Sequence, residues 1–191
     1  VDVKFWDFKS KEHQNKIKKN ILFVGNDGNR DYEFLVDLSE YLPQYDFKFI
    51  TKYKFNKALP SNTEHISGSW SSSMIEDNDL KKIFNESDLV ILPLKNTIQP
   101  SGQSVTLQAL SCGTPVMMTK IDGFWDKESF KNMESIVFIE KNSIQLWSDN
   151  LDALLNNQEL YNKLGLNGHV MVNENFNIEY FYKELKKLIL N

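Results

Sequence analysis

Residues 100–104, Pro-Ser-Gly-Gln-Ser, have the composition of a loop that binds an anion. They follow the unbroken apolar run at residues 89–92, which is typical of a buried parallel strand. They precede a helical stretch, which Ser101 or Ser104 can cap. The unpaired N–H groups of a helix N-terminus attract negative charge, and Gly102 lets an anion approach the backbone. Phosphate is the expected ligand, although Ser-Gly-x-Ser is also an ordinary capped turn.

Arg30 is the cation that we expect to join an anion site. It follows a polar loop with two glycines, residues 25–29, which comes after the apolar run of the first predicted strand. A cation at a helix start is unfavourable against the helix dipole, so its position indicates an anion nearby. The forked guanidinium suits phosphate oxygens, which it can bind through two hydrogen bonds at once. A surface arginine at a helix start is the alternative interpretation.

Strands and helices alternate along the chain, which predicts an α/β fold. We expect a Rossmann-like, doubly wound parallel sheet of about six strands with helices on both faces. A flavodoxin-like receiver domain is an alternative that Asp27 and Lys120 fit only loosely. We also expect Asn78 or Asp79 to cap a short helix, and a late helix to be interrupted near the glycines at 165 and 168. The predicted strands are residues 19–25, 47–51, 63–67, 89–92, 116–118 and 135–139.

The composition excludes several classes of protein. The chain has 191 residues, 41% hydrophobic and 25% charged, with a net charge of -4, so a broad basic surface for nucleic acid is not expected. Cys112 is the single cysteine, which rules out a disulfide or a cysteine-based metal site within the chain. No apolar run approaches the roughly 18 residues that a membrane helix needs. Because the first residue is Val rather than Met, we expect a piece of a longer protein, and the single cysteine suits a cytoplasmic location.

The segment at residues 100–119 resembles the C-terminal domain of GT-B glycosyltransferases, in the retaining group usually called family 4. Pro100 and Gln108 depart from the pattern, because each stands where that family has a glutamate. The loop GNDGNRDY resembles the first strand-to-helix turn of a subgroup of the family, and the opening VDVKFWDF resembles the end of its interdomain linker. The matching positions of the long segment are Ala109, Cys112, Gly113, Pro115 and Val116.

The resemblance implies a set of site residues. Arg30 faces the two phosphates of a nucleotide-diphosphate sugar, and Gln108 reaches the ribose hydroxyls, so these two are the predicted catalytic residues. Trp70 stacks on the nucleobase, or else covers the edge of the core. No metal and no cofactor other than the donor sugar nucleotide is implied. The further substrate-binding residues are Gly25, Asn26, Asn29, Ser101, Gly102, Gln103, Ser104 and Val105.

The implied function is transfer of a sugar from a nucleotide-diphosphate sugar to an acceptor such as a precursor of a cell-surface polysaccharide or a glycolipid. The predicted parts are a linker remnant at 1–19, a nucleotide-sugar-binding domain at 20–175 and a C-terminal helix at 176–191. A missing N-terminal domain binds the acceptor and can contact the inner face of the membrane, so we expect little transfer by this piece alone. A catalytically silent nucleotide-sugar-binding module and a GT-B epimerase of nucleotide sugars are the alternatives.

Overall fold

A six-stranded, entirely parallel sheet forms the centre of the molecule, in the order β3-β2-β1-β4-β5-β6. The computed structural model describes residues 1–10, 18–67 and 75–190. The predicted fold class is confirmed, and each predicted strand is present within two residues of its expected ends. The strands are β1 Asn20–Val24, β2 Asp46–Ile50, β3 Thr63–Ile66, β4 Leu89–Leu92, β5 Val116–Thr119 and β6 Val137–Ile139.

Helices cover both faces of the sheet. Successive side chains of a strand point to opposite faces, and here the side chains on both faces are apolar and buried. Ile21 and Phe23 of β1 belong to one buried cluster, whereas Leu22 and Val24 belong to the other. The helices are α1 Tyr32–Tyr41, α2 Asp77–Glu86, α3 Gln103–Ser111, α4 Ile144–Leu155, α5 Gln158–Asn175 and α6 Ile178–Leu190. The first cluster includes side chains of α1, α4 and the N-terminal half of α5, and the second includes side chains of α2, α3 and the C-terminal half of α5.

Two predicted helix caps are wrong. The N-cap of α2 is Glu76 rather than Asn78 or Asp79, so α2 begins at Asp77, two residues before its predicted start at Asp79. The N-cap of α3 is Gly102, which has a φ of 83°. This left-handed conformation suits glycine, because it has no Cβ to clash with the backbone. Neither Ser101 nor Ser104 therefore caps α3, and Ser104 lies within its first turn.

Helix α5 is continuous from Gln158 to Asn175, so the predicted interruption at its glycines is wrong. A Cβ at Gly165 would lie 2.7 Å from the carbonyl oxygen of Gly113, and a Cβ at Gly168 would lie 2.6 Å from a methyl carbon of Leu110. These glycines therefore allow α5 to pack closely on the C-terminal part of α3, instead of ending a helix.

The first ten residues pack against the domain, and α6 lies largely outside its core. Trp6 is buried, and the Val1 ammonium donates to the carbonyl of Phe176 at 2.7 Å. Helix α6 has no buried residue, and Phe181 is 64% exposed. The predicted division at residues 19 and 175 coincides with the start of β1 and the end of α5 but stays a prediction. None of the described helices is both long and apolar enough to cross a membrane.

The order of the strands reverses between β1 and β4, because β2 and β3 follow on one side of β1 and β5 and β6 on the other side of β4. The loops that leave β1 and β4 therefore separate to opposite faces of the sheet. A crevice opens between them at the carboxyl ends of the strands, which is where open α/β sheets bind ligands.

Candidate anion-binding cleft

A cleft of about 720 Å³ lies at this reversal of strand order. The carboxyl ends of β1 and β2, the start of α2 and the loop from β4 into α3 form its walls. This cleft brings together the two loops that the sequence analysis selected independently. Its lining residues are Val24, Gly25, Asn26, Asp27, Arg30, Ile50, Lys52, Ile75, Glu76, Asp77, Leu80, Pro100, Ser101, Gly102, Gln103, Ser104 and Val105.

Arg30 is buried in the wall of the cleft, with an exposed fraction of 3%. Its backbone forms an isolated antiparallel bridge with Leu94, just after β4, which fixes the start of the side chain. Nη1 donates to Ser101 Oγ at 3.3 Å, and Nη2 lies 3.3 Å from Asp27 Oδ2. Burial lowers the pKa of the Arg30 guanidinium from its usual value, while the Asp27 carboxylate opposes that shift. The guanidinium is therefore a fixed cation at the junction of the two loops.

Two glycines leave the space that the Arg30 side chain occupies. A Cβ at Gly25 would lie 2.3 Å from Arg30 Nε, and a Cβ at Gly102 would lie 3.2 Å from Arg30 Nη1. Arg30 Nε has no hydrogen-bond partner among the described residues. Gly25 and Gly102, which the sequence analysis selected as substrate-binding residues, thus line the cleft and also allow the arginine to lie against the backbone.

Asp27 is a site residue that the sequence analysis did not select. Its carboxylate accepts from the Ser101 hydroxyl, with distances of 3.1 Å to both oxygens, and from the backbone N–H of Asn29 at 2.9 Å. Together with the Arg30 guanidinium, the carboxylate therefore has a hydroxyl, a backbone N–H and a guanidinium as donors. A fraction of 43% of the Asp27 side chain remains exposed. Ser101 is buried between the two charged groups, which explains why it does not cap α3.

The N-terminus of α3 opens into the same cleft. Thr106 N–H donates to Gly102 carbonyl oxygen at 2.9 Å, so the helical hydrogen bonds begin there. The preceding N–H groups of a helix have no acceptor within it. Gln103 and Ser104 lie in that first turn with exposed side chains, while Val105 is buried. Residues 103–105 therefore line the cleft at a helix N-terminus, where the N–H groups and the helix dipole favour an anion, and their role in binding stays a prediction.

Asn26 connects the first loop to the second strand. Its side-chain oxygen accepts from the backbone N–H of Lys52 at 2.6 Å and from the Thr51 hydroxyl at 3.2 Å. Lys52 also lines the cleft, and with Arg30 it is one of two described cations there. Two acidic residues at the start of α2, Glu76 and Asp77, also line the cleft. The cleft is therefore not uniformly basic, and a bound anion is best placed on the side of Arg30.

A network of polar side chains fixes the loops around the arginine. Asn142 donates to Asp31 Oδ2 at 2.8 Å and to the Leu94 carbonyl at 3.0 Å, and it accepts from the Thr119 hydroxyl at 2.6 Å. Asp31 is the N-cap of α1. This network joins the ends of β4 and β5 to the start of α1 directly beside Arg30.

Two of the predicted site residues that the structure describes, Gln108 and Asn29, do not line the cleft. Gln108 lies on α3 but is not among the residues that line the cleft, and its Oε1 is buried without a hydrogen-bond partner in the described part of the chain. Trp70 lies outside the described residues. Asn29 lies beside the cleft and donates to Asp27. Within residues 1–10, 18–67 and 75–190, no group of three or more His, Cys, Asp or Glu side chains could hold a metal ion.

Residues 72–171, more than half of the chain, match the family described as glycosyl transferases group 1. This match includes the loop before α3 and ends within α5. The sequence has no significant match among curated proteins.

Solved structures with the same fold include proteins described as glycosyltransferases. The C-terminal domain of LpcC, a glycosyl transferase group 1 family protein from Francisella tularensis, superposes with a TM-score of 0.70 at 17% identity, covering 93% of this chain and 99% of that one. Sucrose-phosphate synthase from Thermosynechococcus elongatus gives 0.79 at 16% identity, covering 99% of this chain and 50% of that one. HepE from Anabaena, in complex with UDP, gives 0.78 at 12% identity, covering 99% and 55%. The chain thus spans about half the length of the last two proteins.

Proposed function

The chain belongs to the glycosyl transferases group 1 family, and on this premise we propose that its cleft binds the diphosphate of a nucleotide-diphosphate sugar, the donor of a retaining sugar transfer. The observation that carries the proposal is the contact of Arg30 with Ser101 at the reversal of strand order. It puts a buried cation beside the open N-terminus of α3. HepE has been crystallised with UDP and with UDP-glucose, which supports a nucleotide sugar as the ligand class.

The cleft would assist the reaction by stabilising the leaving group. When the bond between the anomeric carbon and the phosphate oxygen breaks, the bonding electrons remain on the diphosphate, whose negative charge increases. Arg30 and the N–H groups of Gln103 and Ser104 would face that charge once the donor is bound, so little further reorganisation would be needed during the reaction. The acceptor hydroxyl oxygen forms the new bond to the anomeric carbon, and its proton passes to the departing diphosphate, which keeps the electron pair of the broken bond. In a retaining transfer the acceptor oxygen bonds to the face that the diphosphate leaves.

A catalytically silent binding module is the second candidate function. Pro100 lines the cleft at the first of the two positions where the family that the segment resembles has a glutamate. Its side chain carries neither a charge nor a hydrogen-bond donor. Gln108, at the position of the other, lies outside the cleft lining. Donor binding by the whole protein without sugar transfer would favour this candidate. We also propose that the acceptor binds to parts of the full-length protein beyond this domain.

The proposal is tested by titrating the chain with inorganic pyrophosphate and with UDP, GDP and ADP. Pyrophosphate needs no knowledge of the nucleobase. Because a hydrogen bond to a charged group contributes about 1.5–3 kcal/mol, Arg30→Ala should raise the dissociation constant about tenfold or more. Lys57→Ala is the control, since Lys57 forms an exposed ion pair with Asp37 and does not line the cleft. Equal affinity of the Arg30→Ala variant and the wild type would refute the proposed site.

A further inference from the structure

Asp27 occupies the place in the cleft where the donor set is best suited to a phosphate oxygen. Its carboxylate is held by a guanidinium, a hydroxyl and a backbone N–H, from Arg30, Ser101 and Asn29. These are the groups that bind phosphate oxygens in proteins. In this structure, therefore, the cation that we assign to the diphosphate already has an anionic partner.

We infer that Asp27 is an internal competitor of the donor's diphosphate, which must displace the carboxylate from Arg30 and Ser101 to bind. The inference rests on the proposed function and names the residue that sets the affinity of that site. A second anion cannot share Arg30 with the carboxylate at no cost, because like charges a few ångströms apart repel each other in a partly buried site. Asp27 thus weakens diphosphate binding, which also favours release of the nucleotide diphosphate after sugar transfer.

The structure offers a place for the displaced carboxylate. A neighbouring cleft of about 520 Å³ shares Asp27 with the main cleft. Lys52, Lys54 and Lys95 line it, together with one acid, Glu33. Because 43% of the Asp27 side chain is exposed, its carboxylate has room to turn toward these ammonium groups. Displacement then exchanges one cationic partner for another, instead of leaving a carboxylate unpaired.

The experiment is pyrophosphate titration of Asp27→Asn. Asparagine keeps an oxygen that can accept from Ser101 and Asn29, but it removes the charge that competes for Arg30. We expect the dissociation constant to fall about tenfold, as the removal of a like charge at close range implies. Asp77→Asn is the matched control, because Asp77 lines the same cleft from the start of α2, a different element from those that carry Arg30 and Ser101. A general electrostatic effect would change both variants, whereas displacement changes only the first.

The outcomes separate the inference from the function on which it rests. Tighter binding by Asp27→Asn, with Asp77→Asn within about twofold of the wild type, supports the inference. Unchanged or weaker binding by Asp27→Asn overturns the inference, and so does equal tightening by Asp27→Asn and Asp77→Asn. In either case, loss of pyrophosphate binding in Arg30→Ala still supports the proposed function. If pyrophosphate binds to Arg30→Ala as well as to the wild type, the proposed function fails and the inference fails with it.

Discussion

Replacement of Gly25 by alanine tests whether the arginine needs the space beside the backbone. The added Cβ would lie 2.3 Å from Arg30 Nε and 3.1 Å from both Cδ and Cζ. Carbon atoms in contact are normally about 3.5–4.0 Å apart, so the side chain has to move by about 1 Å. Arg30 is buried and also lies against Gly102, which limits the movements available to it.

The size of the effect follows from the hydrogen bonds that such a movement breaks. Arg30 lies 3.3 Å from both Ser101 Oγ and Asp27 Oδ2, at the long end of hydrogen-bond distances. A shift of about 1 Å takes the guanidinium out of hydrogen-bond distance of the place that we assign to the diphosphate, so at least one hydrogen bond to the ligand is lost. Since one hydrogen bond to a charged group contributes about 1.5–3 kcal/mol, we expect the pyrophosphate dissociation constant to rise about 10- to 100-fold.

The same loop supplies the control. Gly28→Ala adds a Cβ that has no heavy atom within 4 Å, so binding and stability should remain close to those of the wild type. Thermal unfolding gives a second measurement: Gly25→Ala should lower the melting temperature in the wild type but not in an Arg30→Ala background. Wild-type affinity of Gly25→Ala, or equal losses in Gly25→Ala and Gly28→Ala, would refute the steric reasoning.

Two further predictions concern elements around the cleft. Gly165→Ala should lower the free energy of unfolding by about 1–3 kcal/mol in urea, because its Cβ meets the Gly113 carbonyl; a stabilisation, as at an open helical position, would contradict the close packing. Asn142→Asp places a carboxylate against Asp31, where Asn142 now donates at 2.8 Å, and should cost about 2–4 kcal/mol at pH 7. Facing carboxylates raise each other's pKa in the folded state, so the loss should shrink toward pH 4, and an equal loss in urea titrations at both pH values would argue against this network.

The strands were predictable because burial on both faces leaves a strong signal in the sequence. Residues 89–92 are an unbroken apolar run, and the structure has β4 at the same four residues. The predicted strand at 135–139 is shorter in the structure, where β6 begins at Val137. Ser135 and Ile136 are buried too, so burial alone does not show where the ladder of hydrogen bonds begins.

The part of the site that depends on distant contacts was not predictable. Arg30 could be selected, because a cation at the start of a helix is locally unfavourable. Asp27 could not, because an aspartate between glycines is typical of a turn and its partner Ser101 is 74 residues away. The same contact explains the wrong N-cap: the Ser101 hydroxyl donates to a tertiary partner, and Gly102 adopts the left-handed conformation instead.

The glycines of α5 show a second reason why a prediction from sequence can fail. Glycine in a helix is locally unfavourable, which predicts a break at Gly165 and Gly168. The structure compensates for that cost by close packing against the carbonyl of Gly113 and the side chain of Leu110. A single sequence does not show which glycines face another element, so local propensity gave the wrong result here.

The pairing of β1 with β4 makes the cleft sensitive to strand register. Ile21 lies opposite Leu89 and Leu22 opposite Val90, and this alignment brings Arg30 to Ser101 across 71 residues of sequence. A slip of one residue would shift the two loops by about 3.3 Å and turn the side chains of one strand to the wrong face. A ligand that requires both loops therefore binds only the correctly aligned sheet. Its binding free energy adds to the stability of that alignment alone, so the ligand would increase the population of the correctly aligned sheet over misaligned ones.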